Sequence, residues 1–303
     1  VGALLVFAVV LLGLASPPLA GAAPRRPPAG LRDIGGRSGR LLVFIETRDG
    51  LCELERSGLR ITVTEPGVYP FEWPEGSPAG QKRTGASLVL LTPFSAKRDG
   101  RIGSYFLGTW PNEGGEKESS PTERYAAGRS AYALPPGFIK VTKSTASTRV
   151  SEHFRLGDFL TKDQPGVWPK YLVLDLRLVD KLELLIDALR EARHPVKGLH
   201  VMSGFRTPDY NAKGVGPGDR SAISRHLYGD AADVYPDDDG NGQIDDLDGD
   251  GRVDLADARI VAEAAEKVER EFPDLAGGIG VYRATAAHGP VVHVDTRGSR
   301  ARW

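Results

Sequence analysis

The spacing of apolar positions changes several times along the chain. Residues 1–15 are almost wholly apolar, too short a run for a comfortable bilayer span, and Pro17-Pro18 and the small residues Ala20-Gly21-Ala22-Ala23 follow. This pattern predicts a signal peptide over 1–23, with an uncleaved membrane anchor as the alternative, and therefore export to the periplasm or cell envelope. Residues 24–39 (PRRPPAGLRDIGGRSG) have no period and read as a linker. Short branched apolar runs then recur at 41–46, 59–64 and 87–92, separated by turn signals such as Arg48-Asp49-Gly50 and Glu65-Pro66-Gly67. They predict a small β-rich, sandwich-like module over 40–145. The polar stretch 112–130 inside it reads as a loop.

The second half has longer elements. Leu178, Leu182, Leu185, Ile186 and Leu189 fall on one helical face and predict a helix over 171–192. Strands are expected at 198–203, 231–235, 278–283 and 290–296. A second helix is expected at 256–271, with Ile260, Ala264, Val268 and Phe272 on one side. Short strands, mostly without βαβ spacing, predict an α+β domain over 146–303 built on a mainly antiparallel sheet.

Composition narrows the function classes. The 303 residues carry 39 Lys+Arg against 40 Asp+Glu, a formal charge of -1, which gives no general attraction to nucleic acid or to an anionic membrane. With 37 Gly and 22 Pro the chain is too rich in turns for a helical bundle. One Cys excludes a disulfide framework and a CxxC-type zinc site, so any metal must use His and carboxylate ligands.

Three segments supply such ligands: Ser203-Gly204-Phe205-Arg206-Thr207-Pro208, Ser224 to Asp233, and Val292-His293-Val294-Asp295. His226 lies seven residues before Asp233, with Gly229 between them to turn the backbone and Ala231 and Ala232 to keep the approach open. His293 and Asp295 alternate along a strand and share a face. Two His and one Asp make a three-ligand set with a fourth position free, as in catalytic zinc sites. The plainer alternatives are a hydrogen-bonded core histidine and an aspartate that caps a turn. His200 is expected in the core.

The stretches SGFRTPDYN, SRHLYGDAADV, GGIGVY and HVDTRG with its closing RW resemble the zinc-dependent D-alanyl-D-alanine peptidases over roughly residues 150–303. The resemblance implies a hedgehog-type fold and a metallopeptidase, of the carboxypeptidase or murein endopeptidase kind, acting on peptidoglycan peptides through zinc-activated water. Matched position by position, it makes His226, Asp233 and His293 the zinc ligands. Arg206 then holds the substrate carboxylate or the oxyanion, with Ser224 beside the substrate. Many members place an acidic residue three positions before the second ligand His; here that position is Pro290. Asp295 is therefore the expected proton-transfer group, its alternative being to orient a ligand or bind Arg297. The missing acid leaves a second reading, a non-catalytic zinc- and calcium-stabilised module that binds cell wall.

The stretch 237–257 is an acidic insert. Asp246, Asp248, Asp250, Gly251, Val253, Asp254 and Asp257 fit an EF-hand frame. Asp237, Asp239, Asn241, Gly242, Ile244, Asp245 and Asp248 fit the same frame nine residues earlier. Oxygen ligands at alternate positions with Gly at the sharp turn suit Ca²⁺. The frames overlap, which predicts one tight site or a linked pair with a structural role; the alternative is a solvated acidic loop.

Overall fold

The computed structural model describes residues 65–71, 86–113, 132–216, 220–286 and 288–303, with the strand segments 42–45, 47–48, 51–53 and 62–63. The expected signal, the linker and most of the polar loop lie outside the described residues. Among those described, no helix is long and apolar enough to cross a membrane.

Six strands come first: β1 (Leu42–Ile45), β2 (Thr47–Arg48), β3 (Leu51–Glu53), β4 (Thr62–Val63), β5 (Gly67–Phe71) and β6 (Ala86–Leu90). They form two three-stranded sheets, one ordered β1-β6-β5 with β1 and β6 parallel, the other an antiparallel β2-β3-β4 meander. β7 (Thr92–Pro93), β8 (Arg101–Ile102) and β9 (Tyr105–Phe106) lead to β10 (Gly137–Val141), which pairs antiparallel with both β7 and β11 (Lys170–Leu172). Buried apolar residues from Val89 to Val294 form one continuous core, which runs across residue 145 without a break.

The long elements follow. Helices α1 (Leu176–Glu191), α2 (Pro208–Ala212) and α3 (Leu255–Glu271) alternate with strands β12 (His200–Ser203), β13 (Ala231–Tyr235), β14 (Gly278–Tyr282), β15 (Val291–Asp295) and β16 (Ala301–Arg302). The five strands make a mixed sheet ordered β12-β13-β15-β14-β16, in which only the β14–β16 pairing is parallel. The class is α+β, with mixed sheets and few helices.

α1 starts later than its hydrophobic run suggests. Residues 170–172 extend to pair with β10, and Asp175 then caps the helix by accepting a hydrogen bond from the Arg177 amide at 2.9 Å. The apolar face of α1 is buried as expected. At about 1.5–3 kcal/mol for each fully buried Leu or Ile, its five residues contribute on the order of 10 kcal/mol before the entropic cost of ordering them.

The sheet has two chemically distinct faces. Val234, Val292, Val294 and Ile279 point into the core, toward the side packed by α1 and α3. On the other face Ser203, Asp233, His293 and Gly280 stand in register on adjacent strands. A register shift between Val201 and Ser203 turns Ser203 onto this polar face. His200 does not enter the core. It is exposed and lies against the Tyr235 ring, centroids 5.0 Å apart, because it starts β12 at the edge of the sheet.

Candidate metal centre

His226 is carried by a single tight turn, Arg225–Tyr228. Gly229 closes that turn at φ +70, where a Cβ would lie 2.3 Å from the Val173 carbonyl oxygen, so only glycine fits. A buried Arg225–Asp230 ion pair straddles the turn. Trp110 Nε1 donates to the Leu227 carbonyl at 2.9 Å and ties the turn to the preceding segment. Asp233 and His293 come from the paired positions of β13 and β15.

Three atoms converge at this point. His226 Nε2 lies 3.2 Å from Asp233 Oδ1 and 3.2 Å from His293 Nδ1, and His293 Nδ1 lies 2.9 Å from Asp233 Oδ1. All three residues are buried and can hold a metal ion. Donors about 2.0–2.1 Å from a tetrahedral zinc stand about 3.3 Å apart, so the set is close to the spacing such an ion requires.

The outer hydrogen bond sets the His226 tautomer. His226 Nδ1 is 2.7 Å from the Gly204 carbonyl oxygen, which only accepts, so Nδ1 carries the proton and Nε2 presents a lone pair. His293 places Nε2 3.1 Å from Asp295 Oδ2 and Nδ1 2.9 Å from Asp233 Oδ1, both acceptors, so a bound cation would select the tautomer that donates to Asp295 and leaves Nδ1 bare. In that tautomer three lone pairs meet with no proton among them. Such a group is satisfied by a cation, or in its absence by a proton on His293. Burial lowers the His293 pKa, but Asp233 and Asp295 outweigh it and raise the value above ordinary. Burial lowers that of His226, and the nearby Asp233 does not restore it. Burial pushes the Asp233 carboxyl up, yet the two imidazoles hold it well below the usual carboxylate range.

Asp295 is fully buried behind His293. Its carboxylate accepts from His293, from Arg297 Nε at 2.9 Å and from the Gly278 amide at 2.8 Å. Burial raises its pKa, and the hydrogen bonds from His293 and Arg297 more than reverse this. This carboxylate has its partners already and reaches the ligand atoms only through the imidazole, an arrangement that suits the alternative expectation of orienting His293 and binding Arg297. Arg206 is also committed, its Nη2 donating to Asp233 Oδ2 and its Nε to Ser203 Oγ at 2.8 Å. Ser224 immediately precedes the His226 turn, is 8% exposed and makes no side-chain capping bond.

Two groups behind the site had no local signal in the chain. Lys181, with no exposed surface, donates to Glu269 at 2.6 Å and to the Asp295 carbonyl at 2.7 Å. Glu269 accepts from the Gly277 amide at 2.9 Å. The pair thus anchors the end of β15 at Asp295 and the chain entering β14 at Gly277. Tyr282 and Trp303, at the open side, were also unassigned; Trp303 lies against His293 with ring centroids 5.2 Å apart.

The acidic insert divides into two groups of carboxylates close enough to hold an ion, Asp237/Asp239/Asp245 and Asp246/Asp248/Asp250. Asn241 braces the first, its side chain donating to Asp239 at 2.8 Å. Asp254 and Asp257 do not join the second. Asp254 caps α3 through the Ala256 amide at 2.7 Å, while the buried Asp257 accepts from the Leu247 and Asp254 amides at 2.7 and 2.9 Å. Both carboxylates cap the first turn of the helix, as N-cap and N3 of a capping box. Ile244, with no exposed surface, anchors the insert to the core.

No family model, curated protein or solved structure matches the chain.

Proposed function

We propose that the protein is an exported zinc metallopeptidase that hydrolyses peptide bonds in peptidoglycan stem peptides or cross-links, on a hedgehog-type domain. The observation that carries this reading is the convergence of three ligand atoms, from His226, Asp233 and His293, on the polar face of the sheet. Two imidazoles and one carboxylate suit zinc better than a hard cation, and three protein ligands match the stoichiometry of catalytic zinc sites. Zinc there supplies Lewis-acid polarisation of a carbonyl and acidification of the attacking water.

The chain's own groups supply orientation. Gly204 and Asp295 hold the outer nitrogens of the two imidazoles, while Arg206 fixes the Asp233 carboxylate and offers a charged edge suited to a substrate carboxylate. The insert, in this reading, binds calcium at its two carboxylate groups and stiffens the chain between Asp233 and α3. Partners are peptidoglycan peptides; nucleic acid is not one.

The test is incubation of the zinc-loaded chain with defined muropeptides and identification of products by mass. Hydrolysis that is lost in His226→Ala supports the reading. Zinc binding with muropeptide retention but no product would instead establish the wall-binding module, an alternative favoured by Asp295 being tied up behind His293.

A further inference from the structure

Gly280 stands opposite His293 in the register of β14 and β15. Trp303 fills the place its side chain would take, with Nε1 and Cε2 2.3 and 2.4 Å from the position of a Cβ. From there Trp303 Nε1 donates to Tyr282 Oη at 2.6 Å. Tyr282 is two residues beyond Gly280, so it leaves the strand on the face that carries His293 and Asp233. Because its hydroxyl meets an indole lying over Gly280, the tyrosine leans along the strand toward the three ligand atoms.

The direction of that hydrogen bond matters. An indole N–H only donates, so the Tyr282 oxygen accepts and its own proton remains available to another acceptor. No further partner of this hydroxyl occurs among the described residues. Burial first, and then the Asp233 charge, raises its pKa above the ordinary value, so it stays protonated at neutral pH. Tyr282 and Trp303 are 40% and 48% exposed, so a bound peptide can reach them. Arg206, another donor on this face, already spends Nε and Nη2 on Ser203 and Asp233.

We propose that Tyr282 is a further catalytic residue, whose hydroxyl donates a hydrogen bond to the carbonyl oxygen under attack and strengthens it as that oxygen gains negative charge. The inference rests on the hydrolytic reading of the site. No bond to the tyrosine forms or breaks; its proton stays on Oη. Trp303 is a positioning residue that aims it.

The experiment compares the zinc-loaded full chain with its Tyr282→Phe variant. Zinc content, kcat and KM on a defined muropeptide, and the Kd of a phosphinate dipeptide that mimics the tetrahedral oxyanion are measured. Loss of one oxyanion donor is expected to lower kcat by about 10²–10³-fold. KM should stay within about threefold, zinc content should be unchanged, and the phosphinate should bind at least tenfold more weakly. A variant that keeps wild-type kcat or phosphinate affinity, loses only KM, or loses zinc overturns the assignment while leaving the peptidase reading intact. If the wild type hydrolyses nothing, the peptidase reading falls and the catalytic role of Tyr282 falls with it, whatever the phosphinate shows.

Discussion

Replacing Asp295 with Asn removes one charge at nearly constant volume and separates two roles for this residue. The carboxylate accepts from His293 at 3.1 Å and from Arg297 Nε and the Gly278 amide. An amide has one acceptor oxygen. If it faces Arg297, the NH₂ group faces His293 Nε2 and drives the imidazole proton onto Nδ1, into the space shared with His226 and Asp233. Loss of such an outer partner typically weakens metal affinity 10–100-fold, about 1.4–2.7 kcal/mol. The metal-free fold loses stability as well. Breaking a buried ion pair costs about 3–5 kcal/mol, but the Arg297 side chain is 20% exposed, so the expected loss is nearer 2–3 kcal/mol. Zinc affinity is read by competition with a chromogenic chelator, stability by urea unfolding. Wild-type zinc affinity in Asp295→Asn would refute the positioning argument. Retained affinity with abolished hydrolysis would restore Asp295 as the proton-transfer group.

Lys181→Met leaves Glu269 with Arg302 and the Gly277 amide; Arg302 is 29% exposed, so urea unfolding should show a loss of about 3 kcal/mol, the low end for a broken buried pair. A loss below 1 kcal/mol would show the pair is not needed to hold Asp295, and Lys181→Met with Glu269→Met should recover part of the loss. Metal loading should be pH-dependent. The raised His293 pKa keeps a proton competing for Nδ1 above pH 6.5, so zinc affinity should still climb as pH rises past 6.5, and a profile flat above that pH would contradict this. In the metal-free protein the sign reverses: the His293 contribution to stability is complete below its unfolded pKa near 6.5 and lost as pH rises through the higher folded value. His226, with a lowered pKa, titrates below that window. Calcium at 100 times its Kd should stabilise the fold by about 2.7 kcal/mol in a thermal melt, and Asp246→Asn with Asp250→Asn should remove the shift; no shift at millimolar calcium would count against the insert as a cation site.

Where one period dominates, the chain announced its structure. β13, β15 and α3 fall within a residue or so of their expected bounds because alternating Val and His, or a stripe of Ala and Val at helical spacing, admits one answer. β10 and β11 were not legible: Pro135-Pro136 and Pro169 sit beside them, and Tyr171-Leu172-Val173-Leu174 is uniformly apolar, so periodicity cannot separate strand from helix there. His226, Asp233 and His293 were legible as a candidate set from residue type and strand alternation, and as ligands through the resemblance that matches them position by position. The role of Asp295 was not, because it depends on which imidazole nitrogen faces the carboxylate. Lys181 meets the Asp295 carbonyl across 114 residues, and Tyr282 meets Trp303 across 21, contacts that exist only once the sheet is assembled.

The central claim is that one divalent ion is held by His226 Nε2, Asp233 Oδ1 and His293 Nδ1. An anomalous difference map at the zinc edge, from crystals of the zinc-loaded chain, tests it most directly. The account predicts one strong peak about 2.0–2.2 Å from those three atoms, with Asp295 still bonded to His293 Nε2. A peak elsewhere, or one bound through the opposite nitrogen of either imidazole, would contradict it.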